Sequence, residues 1–211
     1  MTTPSAADDT HLQPAVAAEF ASLAGLLAVI SEAQWDTPSM CRGWRVREVV
    51  AHMTMPARYS QEEFMTELSR CEFDFTRLSN ELASRDASRP ADELVASLRS
   101  GIMQRWTPPG GGYYGALTHV VIHGLDVTVP LGAPRRPPDQ TIRIVLDNLT
   151  ADGGHAHFGT VINGRRFQAT DLDWSHGSGQ VLRGAAADLA LALCGRTVPA
   201  GRLEGEPLPR G

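Results

Sequence analysis

Hydrophobic residues recur at helical spacing along the first two-thirds of the chain. Residues 15–30 are rich in strong helix formers, and their apolar positions repeat with the period of one helix face. Residues 46–55 show the same pattern. Pro56 ends or bends that helix, and the chain is expected to continue helical through 59–68. The segment 71–88 has no decisive period, so the pattern leaves it unassigned.

Two further helices are predicted before the pattern changes. Pro90 opens a helix over 91–106, whose first turn is acidic and whose end is marked by the break TPPGGG. Residues 114–129 form another apolar segment, which stops near Pro130. Its many β-branched residues leave a strand open as an alternative to a helix, because periodicity alone does not separate the two.

A proline-rich segment, LGAPRRPPDQ at 131–140, marks the predicted domain boundary. We expect one domain over 10–133 and a smaller one over 138–205. The fold class predicted for the whole chain is α+β and mostly helical.

The second domain shows shorter elements and more turn residues. Residues 142–149 predict a short helix, and the Asn163-Gly164 pair predicts a hairpin between strands at 158–162 and 165–170. The stretch DLDWSHGSG at 171–179 is interpreted as a Gly-rich turn anchored by Trp174. A last helix is expected over 184–194, with Gly195 closing it and a loose tail after it.

Composition narrows the class of protein. The formal charge is −5 over 211 residues, and all 19 basic residues are arginine. The pI near 5.8 argues against a nucleic-acid or anionic-membrane surface, since phosphate binding needs clustered basic residues. Three separated cysteines without a CxxC motif, a polar acidic N-terminus and no long apolar run predict a reduced cytoplasmic protein.

The sequence HVVIHGLD at 119–126 carries the strongest chemical signal. His119 and His123 are spaced i and i+4, which places both imidazoles on one helix face, as zinc enzymes do for a single metal ion. Catalytic zinc usually takes three protein ligands, and His52 in VREVVAHM is the candidate for the third. Asp126 is the candidate carboxylate that orients His123. The alternative is that these histidines are ordinary helix residues.

Three segments carry a family resemblance. CRGWRVREVVAHM (41–53), HVVIHGLDVTVPLG (119–132) and ATDLDWSHGSGQVLRGAAADLALALCGR (169–196) stand in the order seen in one family. They resemble the mycothiol-dependent maleylpyruvate isomerase family of the DinB-like superfamily. The resemblance implies an N-terminal DinB-like four-helix bundle and a small α/β C-terminal segment. It also implies a divalent metal, zinc by default, on His52, His119 and His123.

The resemblance also implies a function. A metal on three neutral imidazoles favours the thiolate form of a bound low-molecular-weight thiol, here mycothiol, for S-transfer to a small electrophile or its isomerisation. The implied partners are the thiol and the electrophile, with neither nucleic acid nor membrane, and a homodimer is a candidate state. Two alternatives stay open: a metal-binding DinB-like module without catalysis, and a metal-dependent hydrolase that uses bound water.

Several residues are given plainer interpretations. Trp44 is expected in the core, and neither Cys41 nor Cys194 is expected to act as a nucleophile. Arg45 stands where many relatives have Ser or Thr, so the cap of the helix that follows must come from another residue. Two histidines and four arginines of the second half of the chain are expected to be solvent-exposed: His155, His157, Arg135, Arg136, Arg165 and Arg166.

Overall fold

The computed structural model describes residues 9–133, 136–151 and 158–209. Its contacts divide the chain into two compact units, Met1–Gly132 and Ala133–Gly211. The fold is α+β and mostly helical, as predicted. His155, His157 and Arg135 lie outside the described residues.

The first unit is built from helices. They are α1 (Gln13–Leu27), α2 (Glu32–Trp35), α3 (Val46–Met53), α4 (Gln61–Arg70), α5 (Phe75–Asp86), α6 (Ala91–Leu98) and α7 (Gly112–Thr128). Helix α7 packs on α1 and α3, while α3 also packs on α5. None of the helices described is long and apolar enough to cross a membrane.

The helices predicted at the two ends of this unit form close to their expected bounds, and the differences lie between them. A 3-10 turn at Met55–Ala57 surrounds Pro56, and α4 then begins afresh with the Ser60 hydroxyl accepting from the Glu63 amide. The unassigned segment is helical from Phe75, because the Asp74 carboxylate caps α5. Helix α6 stops at Leu98, well short of the predicted 106.

Helix α7 resolves the helix-or-strand ambiguity of the β-branched segment. It begins where the Asp9 carboxylate accepts the backbone N–H groups of Tyr113 and Tyr114. Val120, Val121 and Ile122 are consecutive and all buried, so they span about 200° of the helix circumference, wider than the roughly 100° apolar stripe of a surface helix. The segment is helical because neighbouring helices cover it on more than one side, and each buried valine contributes roughly 1.5–3 kcal/mol relative to exposure.

The second unit combines two helices with a small sheet. Its elements are α8 (Asp139–Thr150), β1 (Arg165–Ala169), β2 (Ser175–Gly177), β3 (Gln180–Gly184), α9 (Ala186–Leu193) and β4 (Leu203–Glu204). The strand order is β2-β1-β3-β4, with β1 and β3 parallel and the outer pairs antiparallel. Helix α8 packs on α9, which contacts β1 and β3.

The predicted hairpin at 158–170 is wrong. Strand β1 pairs with β2 and β3, and residues 158–162 are not a strand of the sheet. The Asn163-Gly164 turn, with Gly164 at φ +73°, leads into β1 instead. The partner comes from the Gly-rich segment 171–179, where a Cβ on Gly177 would lie 2.3 Å from the Arg165 carbonyl oxygen. Only glycine fits such a close approach.

Two other expectations in this unit have different outcomes. Trp174 is buried, and its indole N–H donates to Asp147 at 2.7 Å, as an anchoring role requires. The tail after Gly195 is not loose: β4 pairs with β3, and the buried Arg165 donates to the carbonyl oxygens of Glu206 and Pro207. Arg165 was expected in solvent, and the backbone acceptors of the tail explain its burial.

Candidate metal centre

Helix α7 presents two imidazoles to one point. His119 and His123 are one turn apart, and their ring centroids lie 4.8 Å from each other. This is the geometry expected from i,i+4 spacing on a continuous helix.

Helix α3 brings the third imidazole to the same place. The His52 ring centroid lies 5.7 Å from that of His119 and 5.0 Å from that of His123. One potential ligand atom from each of the three residues lies within 4.8 Å of the other two. The structure therefore brings together the three residues that the sequence predicted as a set, although 67 positions separate His52 from His119 (119 minus 52).

The electrostatics around His119 favour its neutral imidazole form. Burial lowers the pKa of His119 well below its ordinary value, and the neighbouring His123 and His52 rings lower it further, while Asp126 acts in the opposite direction. Neutral imidazole is the form that binds a metal ion. The buried Nδ1 of His119 has no hydrogen-bond partner among the described residues.

Asp126 lies directly against His123. Its Oδ2 is 2.9 Å from His123 Nδ1, and the side chain is completely buried. A carboxylate at this position accepts Nδ1–H and leaves Nε2 for the centre of the cluster. This is the geometry that the predicted orienting role requires.

Cys41 also belongs to this group of residues, and the sequence did not predict it there. Its thiol donates to the same Asp126 Oδ2 at 3.0 Å, and its Sγ lies 3.9 Å from His123 Nδ1. The available signal was the position of Cys41 at the start of a family motif, eleven residues before His52. Nothing local in the sequence indicates that it reaches helix α7.

Two tryptophans flank the imidazoles. The ring centroid of Trp44 lies 5.1 Å from His52, and that of Trp106 lies 5.1 Å from His119. Trp44 was expected in the core, but it is only partly buried, and its indole N–H donates to Asn80 at 3.0 Å. The indole N–H needs a polar partner, which holds the ring at the edge of the unit rather than in its apolar interior.

The start of helix α3 is capped without Ser or Thr. The Arg45 backbone N–H donates to the carboxylate of Glu48 at 2.8 Å, and the guanidinium pairs with Glu48 and Asp36. The arginine pairing holds the pKa of the buried Glu48 carboxyl below its usual value, although burial opposes it. Glu48 thus supplies the cap that Arg45 cannot, and it sets the start of the helix that carries His52.

The donor set fits a divalent metal ion. Three imidazole nitrogens suit zinc, copper, iron or nickel, and three protein ligands leave a coordination position for another molecule. A structural zinc site would instead be closed by a fourth protein ligand. A metal ion held by these three imidazoles would therefore keep an open coordination position.

Comparisons with known proteins show what part of the chain is similar to a known family. Residues 16–107 match the sequence model described as the mycothiol maleylpyruvate isomerase N-terminal domain. This segment includes His52 and both tryptophans of the cluster, but not α7. A comparison with curated proteins found no match.

Two solved structures share the fold. A crystal structure of the mycothiol-dependent maleylpyruvate isomerase has a TM-score of 0.64 and 14% identity, with 100% of each chain covered. A structure of a histidine-to-alanine mutant of that enzyme has a TM-score of 0.62 and 15% identity, again over 100% of each chain. The sequence match is thus confined to residues 16–107, and the two solved structures, at 14% and 15% identity, show a shared fold.

Proposed function

We propose that the protein is a metal-dependent enzyme that activates a low-molecular-weight thiol, mycothiol, for S-transfer or isomerisation of a small electrophile. The observation that carries the proposal is the convergence of His52, His119 and His123, with ligand atoms within 4.8 Å of one another. The match of residues 16–107 to the family's N-terminal domain supports the choice of thiol.

The three histidines would hold the metal, with zinc as the default ion for three imidazoles. A divalent ion on neutral ligands keeps its positive charge and lowers the pKa of a bound thiol, so that the nucleophilic thiolate exists at neutral pH. The low pKa of His119 keeps that ligand neutral and available in the same pH range.

The surrounding residues have distinct tasks. Asp126 holds the His123 ring through Nδ1, which fixes the nitrogen that faces the cluster. Trp44 and Trp106 lie beside two of the imidazoles, with ring centroids 5.1 Å away, and would reduce the access of water to a molecule bound there. A drier environment strengthens the electrostatic stabilisation of a thiolate.

The electrophile is proposed from the solved relatives. Those structures are of a mycothiol-dependent maleylpyruvate isomerase, and they share the fold over the whole chain. We propose a small unsaturated carbonyl acid of that kind, to whose double bond a thiolate adds reversibly. Reversible addition permits rotation about the bond before the thiol leaves, and it consumes no thiol.

The test is an activity matrix. Protein loaded with zinc, and protein stripped by a chelator, are each assayed with maleylpyruvate in the presence and absence of mycothiol. The proposal requires turnover only when both metal and thiol are present, and its loss in His52→Ala. Turnover with metal but without thiol would instead identify a hydrolase or another activity of bound water. Tight metal binding without turnover of any electrophile tested would favour a binding module.

His176→Ala is the matched control. It removes an imidazole that lies on β2 of the second unit and is exposed. The control is expected to keep the activity of the unmodified protein.

A further inference from the structure

The thiol of Cys41 lies among the groups that hold His123, and the proposed function assigns it no role. Its Sγ is 3.0 Å from Asp126 Oδ2, and the same oxygen is 2.9 Å from His123 Nδ1. One carboxylate oxygen therefore receives both the thiol and the imidazole N–H. Asp126 is fully buried, so the donors that it finds within the protein fix its orientation.

These distances indicate hydrogen bonds rather than a second metal site. Two ligand atoms on one tetrahedral zinc ion, with bonds of about 2.0–2.3 Å, lie roughly 3.3–3.7 Å apart. The separations of 3.0 Å from Cys41 to Asp126 and 2.9 Å from Asp126 to His123 are shorter than that. The thiol is therefore a donor to Asp126.

The loop before α3 aims the thiol at this point. The Cys41 backbone N–H donates to the Ser39 hydroxyl, and the Ser39 and Trp44 backbones are joined by a hydrogen bond of 2.9 Å. The Met40 N–H donates to the Asp126 backbone carbonyl at 2.9 Å, which ties the loop to α7. Two contacts between the loop and Asp126, one to its backbone and one to its carboxylate, hold Cys41 in register with it.

We infer that Cys41 is a positioning residue: its thiol fixes the Asp126 carboxylate, which in turn holds His123 with Nδ1–H toward Asp126 and Nε2 toward His52 and His119. The inference rests on the proposed metal site. The donor also links the loop that begins the helix of His52 to the helix of the other two histidines. The three ligands are thereby kept in one arrangement before any metal binds.

Cys41→Ala removes the donor and Cys41→Ser keeps one. Loss of a partner behind a metal-binding histidine typically costs 10–100-fold in metal affinity, and a thiol is a weak donor, so we expect about a 3–10-fold loss for Cys41→Ala. Cys41→Ser is expected to recover most of that loss. Cys71→Ala is the matched control, since Cys71 is a buried cysteine packed with Leu78 and Leu82 rather than with the histidines. It is expected to leave metal affinity unchanged.

Two readouts are measured on the full chain. The first is the affinity for cobalt(II), together with the energies of its visible absorption bands, which report ligand orientation. The second is the tautomer of His123 in the metal-free protein, from imidazole ¹⁵N NMR. We expect a single Nδ1–H tautomer of His123 in wild type and in Cys41→Ser. In Cys41→Ala we expect mixed tautomers and shifted cobalt absorption bands.

The outcomes separate the inference from the function on which it rests. Wild type that binds no metal overturns both. Wild type that binds one equivalent, with Cys41→Ala unchanged in affinity and tautomer, overturns the role of Cys41 and leaves the metal site standing. Equal losses in Cys41→Ala and Cys41→Ser also overturn it, because packing rather than the hydrogen bond would then be responsible.

Discussion

Replacement of His119 by alanine gives the sharpest test of the metal centre. The ring lies centrally, with its centroid 4.8 Å from His123, 5.7 Å from His52 and 5.1 Å from Trp106. Its removal leaves two of three nitrogen donors. Zinc bound by four protein ligands gains about 10–16 kcal/mol, or roughly 2.5–4 kcal/mol per ligand, so the variant should bind zinc about 10²–10³-fold more weakly.

The same substitution should scarcely change the metal-free protein. Loss of the partly buried ring leaves a cavity, but the buried Nδ1 of His119 has no hydrogen-bond partner among the described residues, so its removal also relieves a cost. We expect the two effects to offset to within about 1 kcal/mol. The selective loss of metal affinity, rather than of folding, is the signature of a ligand.

Thermal unfolding with and without zinc measures both quantities. At zinc 100-fold above its dissociation constant, binding stabilises wild type by about 2.7 kcal/mol, which raises Tm by roughly 5–11 °C for a chain of this size. His119→Ala should show little or no increase at the same zinc concentration, while His176→Ala should behave as wild type. An undiminished zinc-induced increase in His119→Ala would refute the ligand assignment.

Three further predictions concern stability and pH. Arg58→Ala leaves the buried Asp86 carboxylate without the guanidinium 2.9 Å away, and it should lower the free energy of unfolding by about 3–5 kcal/mol in urea titrations. Burial raises the pKa of Asp188 above its unfolded value despite the nearby Arg202. Its contribution to stability is therefore fully present below about pH 4 and is lost as pH rises through the folded pKa. Asp188→Asn should flatten this pH dependence of stability without lowering stability at pH 7. Deletion of 202–211 removes β4 and the acceptors of Arg165, and it should destabilise the second unit by roughly 2–4 kcal/mol, measured by hydrogen exchange.

Each of these predictions has an outcome that contradicts it. An unchanged free energy of unfolding in Arg58→Ala would show that the Asp86 carboxylate does not depend on this guanidinium. A steeper pH dependence of stability in Asp188→Asn than in wild type would contradict the raised pKa of Asp188. Unchanged exchange rates in β3 after the deletion would show that the tail contributes nothing to the sheet.

The sequence determined the features that depend on local periodicity. Apolar spacing predicted an element over 114–129 and left helix or strand open. Once that segment is helical, the 3.6-residue repeat places His119 and His123 on one face. Helix α3, which carries His52, was also predicted from apolar spacing within one segment. The family resemblance rests on motifs that are likewise contiguous in sequence. Tertiary packing then confirmed that the three imidazoles converge, a point that spacing by itself leaves as a hypothesis.

Only the tertiary structure decided the features that join distant segments. The bond from Cys41 to Asp126 spans 85 positions, and Trp106 reaches His119 from outside any helix. The sheet pairs β1 with β2 and β3 because glycines at 177 and 179 allow close backbone approach, although Asn163-Gly164 is locally the stronger hairpin signal. Periodicity specifies which face of an element is buried, whereas the partner of that face depends on how all the elements pack, which no local pattern contains.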